Sequence, residues 1–317
     1  MEHFKMRWQT WLVGAVVGVL ALTARPAIAA TLVVDDDGFA TATDCDAAIG
    51  TYSTIGAAVT AAAVGDTILV CPGTYTEQVT VTKNNLTLQS VTPLAAIIQA
   101  PASMADPKAI VRVNGATGIS ILDFTISGPG GGGCDSIRYG VRIDGGGSAT
   151  LDGNRIKDIR DNPLSGCQNG IGILIGRAFE STTGSATVTD NEIVGYQKGG
   201  SVVDNAGSNA VISWNQVVGA GPTEIIGQNG IQLSRGATAT IADNEVRNNF
   251  YLNSRAADPG CPFATPVDPP PSPFPVGSCL VTATGILFFQ SGSPGDQGQL
   301  NSENTLRRNQ VNALVIP

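Results

Sequence analysis

Short apolar runs alternate with polar residues along most of the chain, and two kinds of run recur between residues 140 and 249. The first kind is glycine followed by an apolar, a variable and an apolar residue. It begins at Gly140, Gly170, Gly200 and Gly230, in steps of 30 residues. The second kind ends in asparagine, a variable residue and an apolar residue, with asparagines at 154, 191, 215 and 244. A repeat of this length at a regular period is typical of a solenoid.

Within each run, apolar and other residues alternate with the period of a strand that has one buried face. Helical stripes are absent, and Gly and Asn are frequent, which argues against paired-helix repeats. Each repeat therefore predicts a coil of two or three short strands, and stacked coils form parallel sheets around a narrow apolar core. The asparagines at 154, 191, 215, 244 and 309 are predicted to occupy turns. Asn tolerates left-handed backbone angles, and stacked amides bond from coil to coil.

The predicted fold class is an all-β parallel β-helix with a short N-terminal capping helix. The helix is predicted within residues 53–63, where Ile55, Ala58 and Val59 share a face and Ser53 or Thr54 supplies the cap. Its expected role is to cover the exposed β edge of the first coils. Further strands are predicted at residues 31–34, 67–70, 78–81, 86–88, 96–99 and 119–126.

The first 29 residues have the features of a secretion signal. Lys5 and Arg7 precede an apolar run at 11–22, and Ala27-Ile28-Ala29 is a small-residue cleavage site. The run is too short to favour a permanent membrane span. We therefore predict a secreted or cell-surface protein, extracellular or periplasmic, with a single β-helix domain at 30–317. A retained anchor is the alternative.

Charge and composition argue against several classes of function. Without residues 1–29, 15 basic residues stand against 25 acidic ones, a net charge of −10. The absence of a basic cluster argues against nucleic acid as a partner. The only histidine, His3, lies in the signal, so the rest of the chain has none for catalysis or metal binding. The sequence requires no cofactor.

Six cysteines lie outside the signal, at positions Cys45, Cys71, Cys134, Cys167, Cys261 and Cys279. An even number in an exported protein predicts three disulfides. Each neighbouring pair brackets one local excursion, so we expect sequential pairing. The last pair encloses a proline-rich stretch at about residues 256–280, predicted to be a stapled surface loop and itself a functional candidate.

Two short segments suggest ligand sites. Asp35, Asp36 and Asp37 are adjacent carboxylates that would suit calcium, but the alternating ligand spacing of a calcium loop is missing, which favours a solvated turn. The glycine run at 128–133 lacks both the Lys-Ser/Thr and the helix of a phosphate loop. It is interpreted as a flexible loop, and calcium remains the metal to consider.

Residues 53–90 resemble a known group of proteins. The matching segments are Ser53-Thr54-Ile55-Gly56-Ala57-Ala58-Val59, Gly65-Asp66-Thr67-Ile68, Pro72-Gly73-Thr74-Tyr75-Thr76-Glu77 and Asn85-Leu86-Thr87-Leu88. They are similar to the opening of pectin-lyase-like right-handed β-helices, and the Gly-x-Tyr-x-Glu element is similar to the first signature of pectin methylesterases. The resemblance implies a right-handed coil and a polysaccharide as the substrate class.

The catalytic segments of these families are missing. The Gln-Asp-Thr-Leu-, Asp-Phe-Ile-Phe-Gly- and Leu-Gly-Arg-Pro-Trp-like segments of pectin methylesterases do not occur, which argues against that activity. Arg155-Ile156-Lys157 matches the Arg-Ile-Lys tripeptide of polygalacturonases. The Asn-Thr-Asp, Asp-Asp and Gly-His-Gly segments that should precede it are absent, so the match is interpreted as coincidence.

A polysaccharide lyase is the first catalytic hypothesis. In uronate β-elimination, a base removes a proton while calcium or arginine neutralises the sugar carboxylate. Arg155 and Lys157 are predicted to point outward and to supply these groups, with Arg142 and Asp144 nearby on the preceding strand. The alternative is a solvated ladder in which Arg155 lies beside Glu192 of the next coil.

An inverting glycosidase is the second catalytic hypothesis. Glu192 and Glu245 both follow a repeat asparagine, and two coil steps of ~4.8 Å would place them roughly 9–10 Å apart. This is near the upper end of the ~6.5–9.5 Å typical of inverting enzymes. Asp190 and Asp243 have the same offset, which weakens the argument, because any repeat produces such columns.

A non-catalytic function is equally compatible with the pattern. Trp214 and Tyr196 are candidate sugar-stacking residues, although packing is the favoured interpretation of Trp214. We therefore predict a secreted β-helix that binds or processes an extracellular polysaccharide or cell-surface glycan, uronate-containing and lyase-like if catalytic. The rival hypothesis is a non-enzymatic surface or adhesion scaffold.

Overall fold

The computed structural model describes residues 29–252, 281–291 and 303–316. Within these residues, parallel strands form three eight-stranded sheets, which we call sheets I, II and III. From β2 onward, the chain visits sheets I, II and III in turn, so each circuit is one coil of a parallel β-helix. The predicted all-β architecture is confirmed.

The strand bounds follow this order of visits. Sheet I contains β1 (Thr31–Val34), β2 (Thr67–Val70), β5 (Thr87–Ser90), β8 (Ile119–Leu122), β11 (Gly147–Asp152), β14 (Gly184–Thr189), β17 (Asn209–Ser213) and β20 (Thr238–Ala242). Sheet II contains β3 (Gly73–Thr76), β6 (Ala96–Gln99), β9 (Thr125–Ser127), β12 (Arg155–Lys157), β15 (Glu192–Val194), β18 (Gln216–Thr223), β21 (Glu245–Tyr251) and β23 (Thr305–Arg307). Sheet III contains β4 (Val79–Val81), β7 (Ala109–Asn114), β10 (Tyr139–Asp144), β13 (Ile171–Ile175), β16 (Gly199–Asp204), β19 (Asn229–Ser234), β22 (Thr284–Phe289) and β24 (Val311–Ile316).

The hydrophobic core is one continuous cluster of inward side chains enclosed by the three sheets. Ile156, Ile193 and Val217 stack in sheet II within it, at neighbouring register positions. Sheet III differs from the other two, because β10, β13 and β16 are buried at every position. Both faces of these strands are therefore covered, and the outer face of sheet III deserves the closest inspection.

Stacked asparagines hold the turns between sheets I and II. Asn154, Asn191, Asn215 and Asn244 are buried, and each Nδ2 donates to the Oδ1 of the next amide at 2.9–3.0 Å. This confirms the predicted stacking, but the fifth member is Asn304. Asn309 instead accepts a bond from Asn249 in a second stack.

The left-handed residue in these turns is the one before each asparagine, and not the asparagine itself as predicted. Asp190, Trp214 and Asp243 have φ values of 54°, 61° and 59°. The reversal at these residues turns their side chains outward, while the asparagine amides point inward to the buried carbonyls.

A column of glycines follows the inner face of sheet III. Tyr139 pairs with Ile171, so Gly140 aligns with Gly172, two residues later than the predicted Gly170. A Cβ at Gly172 would lie 2.6 Å from the carbonyl oxygen of Gly200, which explains why side chains are excluded from this column. The predicted step of 30 residues is thus wrong for this pair of coils.

The N-terminal elements lie close to their predicted places. Helix α1 (Ile55–Ala61) buries Ile55 and Ala58, and Thr54 Oγ1 accepts a bond from the Ala57 amide. The single strand predicted at 119–126 is wrong, because Asp123 has a φ of 64° and divides it into β8 and β9. Strand β3 was not predicted.

Two disulfides lie in the described residues. Cys45 bonds to Cys71 and Cys134 to Cys167, each with a Cα–Cα distance of 5.7 Å, as sequential pairing requires. Cys261 and Cys279, the proline-rich loop and nearly all of the predicted signal lie outside the described residues. In the part of the chain that the structure describes, no helix is long and apolar enough to cross a membrane.

Candidate functional site

The cationic pair predicted for a lyase lies on β12 of sheet II. Arg155 is in register with Glu192, and its Nε donates to that carboxylate. The Arg155 side chain is 46% exposed and that of Glu192 38%. This arrangement is the solvated ladder that the sequence offered as the alternative. Lys157 follows two positions later at the end of the same strand.

The carboxylate pair predicted for a glycosidase also lies on sheet II. Glu192 pairs with Gln216 and Gln216 with Glu245, so the predicted separation of two coils is present. Glu245, however, accepts bonds from Arg307 and Arg247. The Arg307 hydrogen bond is the largest cause of the lowered pKa of Glu245, which is the opposite of what a general acid requires.

Arg142 and Asp144 lie on β10 of sheet III, so the residues predicted to form one catalytic group belong to two sheets. Arg142 leaves the outer face as expected but is completely buried. Its Nε donates to Asp144 at 2.7 Å, and its two terminal nitrogens donate to Glu180. Asp144 also accepts two bonds from Arg112, at 2.8 and 3.0 Å. Arg142 is therefore a positioning residue that holds the excursion containing Glu180 against the sheet.

This excursion forms one wall of a recess over the outer face of sheet III. It includes a short 3-10 helix, Ala178–Glu180, and contributes Arg177 and Glu180. The Cys134–Cys167 disulfide lies on another wall, and Tyr139 and Ile171 are the outward residues of the sheet beneath. The cavity measures about 480 Å³, and its remaining lining residues are Asp135, Arg138, Gln168 and Asn169. We call it the sheet III recess.

Buried hydrogen bonds brace the loops that carry the disulfide. Asp161 is fully buried and accepts bonds from Ser136 Oγ at 3.0 Å, Ser165 Oγ at 2.6 Å and Gln197 Nε2 at 3.0 Å. Asp161 also lies near both sulfurs of the Cys134–Cys167 pair, within a spacing that suits a metal ion. Because both thiols are consumed by the disulfide, this group of atoms is not a metal site.

The two arginines that line the sheet III recess differ in their partners. Arg138 donates two bonds to Asp135, at 2.6 and 2.8 Å, and is neutralised there. Arg177 stacks over Phe179 at 5.0 Å, and its buried Nε has no hydrogen-bond partner. Among the described residues, no carboxylate forms an ion pair with Arg177. A guanidinium in this state retains hydrogen-bonding capacity for a ligand.

A second recess adjoins the first and shares Gln168 with it. Lys198 lines this second cavity, and its Nζ donates to the Gly227 carbonyl oxygen at 2.9 Å. Burial lowers the pKa of the Lys198 amine. The sequence gave no signal for Arg177 or Lys198 as individual residues, although the excursion from residue 177 to 184 was visible as a break in the repeat.

The two predicted stacking aromatics have opposite environments. Tyr196 is fully buried, and its hydroxyl donates to Asn249 Oδ1 at 2.5 Å. It cannot contact a glycan, so that prediction is wrong. Trp214 is 62% exposed, so the favoured packing interpretation is also wrong. Its position just after β17, in a left-handed turn, directs it into solvent.

The Asp35–Asp37 turn satisfies its carboxylates locally. Asp35 is buried and accepts the Asp36 amide at 2.9 Å, while Asp37 accepts the Phe39 amide at 2.8 Å. The three carboxylates do not converge within 4.8 Å of one another. Calcium binding at this turn stays a prediction.

The Gly-x-Tyr-x-Glu element at 73–77 connects the helix to the first coil. The two carboxylate oxygens of Glu77 accept the Ile55 and Gly56 amides at 2.8 Å each, at the start of α1. The Tyr75 hydroxyl donates to the Cys71 carbonyl oxygen at 2.9 Å. In this chain the element therefore has a structural role.

Acid is expected to destabilise the walls of the sheet III recess. Hydrogen bonds from Arg138 and Arg142 are the largest causes of the lowered pKa values of Asp135 and Glu180. A lowered folded-state pKa gives stability that is complete above the unfolded value and is lost as pH falls through the folded value. The melting temperature should therefore fall below about pH 4.5, where these carboxylates begin to protonate in the unfolded chain.

The comparison that tests this uses Asp135→Asn, with melting temperature measured between about pH 6 and pH 2. The variant should show a shallower decrease than the wild type. Burial raises the pKa values of Asp35 and Asp152 and so acts in the opposite direction, but it does so equally in both proteins. Identical slopes would contradict the assignment to Asp135.

The comparisons with known proteins agree with this architecture. A family described as "Right handed beta helix region" matches residues 109–263. The crystal structure of pectate lyase Pel9A superposes with a TM-score of 0.52 at 12% identity, over 90% of this chain and 77% of that one. Pectin methylesterase PemA from Erwinia chrysanthemi gives a TM-score of 0.42 at 14% identity, over 89% and 80% of the two chains.

An alginate lyase from Paenibacillus sp. str. FPU-7 gives a TM-score of 0.38 at 14% identity, over 71% of this chain and 98% of that one. No curated protein matches the sequence. At these identities the structural likeness establishes the fold alone. In fold, the chain is thus a right-handed parallel β-helix of the pectin-lyase-like superfamily.

Proposed function

We propose that this β-helix is an exported protein that binds an acidic, uronate-containing polysaccharide in the sheet III recess. The observation that carries the proposal is Arg177, a cation that lines the cavity with a buried Nε and no hydrogen-bond partner for it. A uronate carboxylate supplies the acceptor oxygens that match a guanidinium in charge and geometry.

The rest of the recess suits the body of a sugar. Tyr139 offers an aromatic surface, and Gln168 and Asn169 offer amides to the hydroxyl groups. The Cys45–Cys71 and Cys134–Cys167 disulfides and the predicted signal support export. The fold is compatible with such a ligand, because pectate lyase Pel9A has the same architecture.

Lyase chemistry is the second candidate, and Lys198 is the observation that favours it. An amine with a lowered pKa is a better base near neutral pH, and Lys198 lines the cavity that adjoins the sheet III recess. In a β-elimination, Lys198 would remove the proton beside the carboxylate that Arg177 neutralises. These two residues replace Lys157 and Arg155 of the sequence-based hypothesis.

Replacing Arg177 with alanine should weaken binding of polygalacturonate or alginate about tenfold or more, since a charge-assisted hydrogen bond is lost. Affinity electrophoresis of the full chain in gels that contain either polymer measures this. Arg308→Ala, which removes an exposed arginine far along the chain, is the charge-matched control and should bind as the wild type does. Arg177→Lys should have an intermediate affinity, because it keeps the charge without the planar fork.

Two outcomes would contradict the proposal. Equal retardation of the Arg177→Ala and Arg308→Ala proteins would exclude the sheet III recess, and a loss confined to Arg155→Ala would place binding on sheet II. A wild-type protein that neither binds nor cleaves any polyuronate would favour the adhesion-scaffold hypothesis. Unsaturated-uronate absorbance that disappears with Lys198→Met would support the lyase candidate.

We also propose that α1 caps the N-terminal end of the core. It packs against β1, β2 and β4, the first strands of the helix, and buries Ile55, Ala58 and Val59. The Lys83 ammonium donates to the Ala62 carbonyl oxygen just after the helix ends, and Glu77 accepts amides at its beginning. Both ends of the helix are thereby tied to the first coil.

A further inference from the structure

Trp214 occupies a position that the fold does not require it to fill. It adopts a φ of 61°, a left-handed conformation that is costly for a bulky residue. The equivalent positions in neighbouring coils hold Gly153, Asp190 and Asp243, residue types that tolerate this conformation. Because 62% of Trp214 is exposed, packing returns little for this cost. A large apolar surface is thus displayed at the edge of sheet I.

The outer face of sheet I, beside Trp214, is lined with small uncharged side chains. Strand pairing places Thr150, Thr187, Val211 and Thr240 in one column, and Ser148, Ser185, Asn209 and Thr238 in the next. The first three coils of these columns line a shallow depression of about 280 Å³. Asn209 and Val211 belong to β17, the strand that Trp214 directly follows.

The electrostatic character of this face is the reverse of that in the sheet III recess. None of the residues that line the depression is basic. The exposed carboxylates of Asp190 and Asp243 lie one coil to either side of Trp214. Burial, followed by the negative charges of Asp190 and Asp123, raises the pKa of Asp152. A polyanion is repelled by such a surface, whereas carboxylates readily accept hydrogen bonds from the hydroxyl groups of an uncharged ligand.

We infer that Trp214 and the adjoining outer face of sheet I form a second glycan-binding surface, specific for neutral polysaccharide. The indole would stack on the apolar face of a pyranose ring, and Asp190 and Asp243 would accept bonds from its hydroxyl groups. The Ser and Thr columns would contact neighbouring sugars of an extended chain. This surface belongs to another sheet and another charge class, so it goes beyond the acidic-polysaccharide function proposed for sheet III.

The test is affinity electrophoresis of the full chain in gels that contain hydroxyethylcellulose, a soluble β-1,3-glucan, galactan or polygalacturonate. We expect at least one of the neutral polymers to retard the protein. Trp214→Ala should weaken that binding about tenfold or more, and Trp214→Phe should restore part of it. Phe39→Ala removes an aromatic side chain that is 50% exposed at the other end of the chain, and it should have no effect.

Two further measurements separate this surface from the sheet III recess. Arg177→Ala should leave retardation by the neutral polymer unchanged, and Trp214→Ala should leave binding of polygalacturonate unchanged. Oxidative footprinting with peptide mass spectrometry should show slower modification of Trp214 when the retarding neutral polymer is present. Failure of every neutral polymer to retard the wild-type protein, or equal retardation of wild type and Trp214→Ala, would overturn the inference.

Discussion

Replacing Asn215 with alanine is expected to lower the free energy of unfolding by about 3–5 kcal/mol, since several buried groups lose their partners at once. The Asn215 Nδ2 donates to the Val188 and Ser213 carbonyl oxygens and to Asn244 Oδ1, each at 2.9 Å. Its Oδ1 accepts two bonds from Asn191, one from the amide nitrogen of the backbone and one from the side chain, each at 3.0 Å. Alanine can replace none of these bonds.

Chemical denaturation followed by circular dichroism measures this loss. Gln216→Ala is the matched control, because Gln216 is the next residue, points outward on sheet II and is exposed. Its effect should remain within about 0.5 kcal/mol. If the two variants differ by less than about 1 kcal/mol, the asparagine stack contributes much less than an unsatisfied buried amide should cost.

Replacing Arg142 with methionine is expected to cost about 3 kcal/mol or more, because breaking a buried ion pair leaves uncompensated charge. Asp144 is buried and would retain only its contact with Arg112, while Glu180 would lose both of its bonds from Arg142. The comparison is Arg155→Met, which removes an exposed arginine from its pair with Glu192. An exposed pair contributes about 0–1 kcal/mol, so this variant should remain close to the wild type.

The Arg142 variant should also release the excursion that Glu180 anchors. Limited proteolysis should then cleave residues 177–184 faster in Arg142→Met than in Arg155→Met, since local stability there depends on the buried pair. Binding of polygalacturonate should weaken, because Arg177 belongs to the same excursion. Equal stability and equal cleavage of the two variants would show that Arg142 does not position this wall.

The fold could be predicted from the sequence because its causes are local. Alternating apolar residues and a recurring Asn are properties of single coils, and each coil repeats them. The register was harder, since Gly170 and Gly172 both fit the repeated phrase and only the pairing of Tyr139 with Ile171 selects between them. Sequence also gave no distinction between an asparagine and the residue before it as the source of the left-handed turn.

The candidate site depends on contacts between distant residues, which the repeat does not encode. Arg142 is buried only because Glu180, 38 residues later, folds over it. Tyr196 and Trp214 are both aromatic residues in turns, yet the first faces Asn249 in the core and the second faces solvent. Such differences depend on the excursions, and these follow no periodic pattern.

The connections between the strands have a consequence for how such a chain can change over time. In the coils from β8 to β21, sheet I is joined to sheet II by two residues each time, and the second of the two is Asn154, Asn191, Asn215 or Asn244 from β11 onward. The connection from sheet II to sheet III has no such limit and ranges from four residues after β15 to thirteen after β12. Insertions at that corner leave the amide stack in register, so new loops can be grafted there onto an unchanged scaffold. The loop that carries Cys167 is an insertion of this kind, and the same corner is where an engineer would add a binding loop of choice.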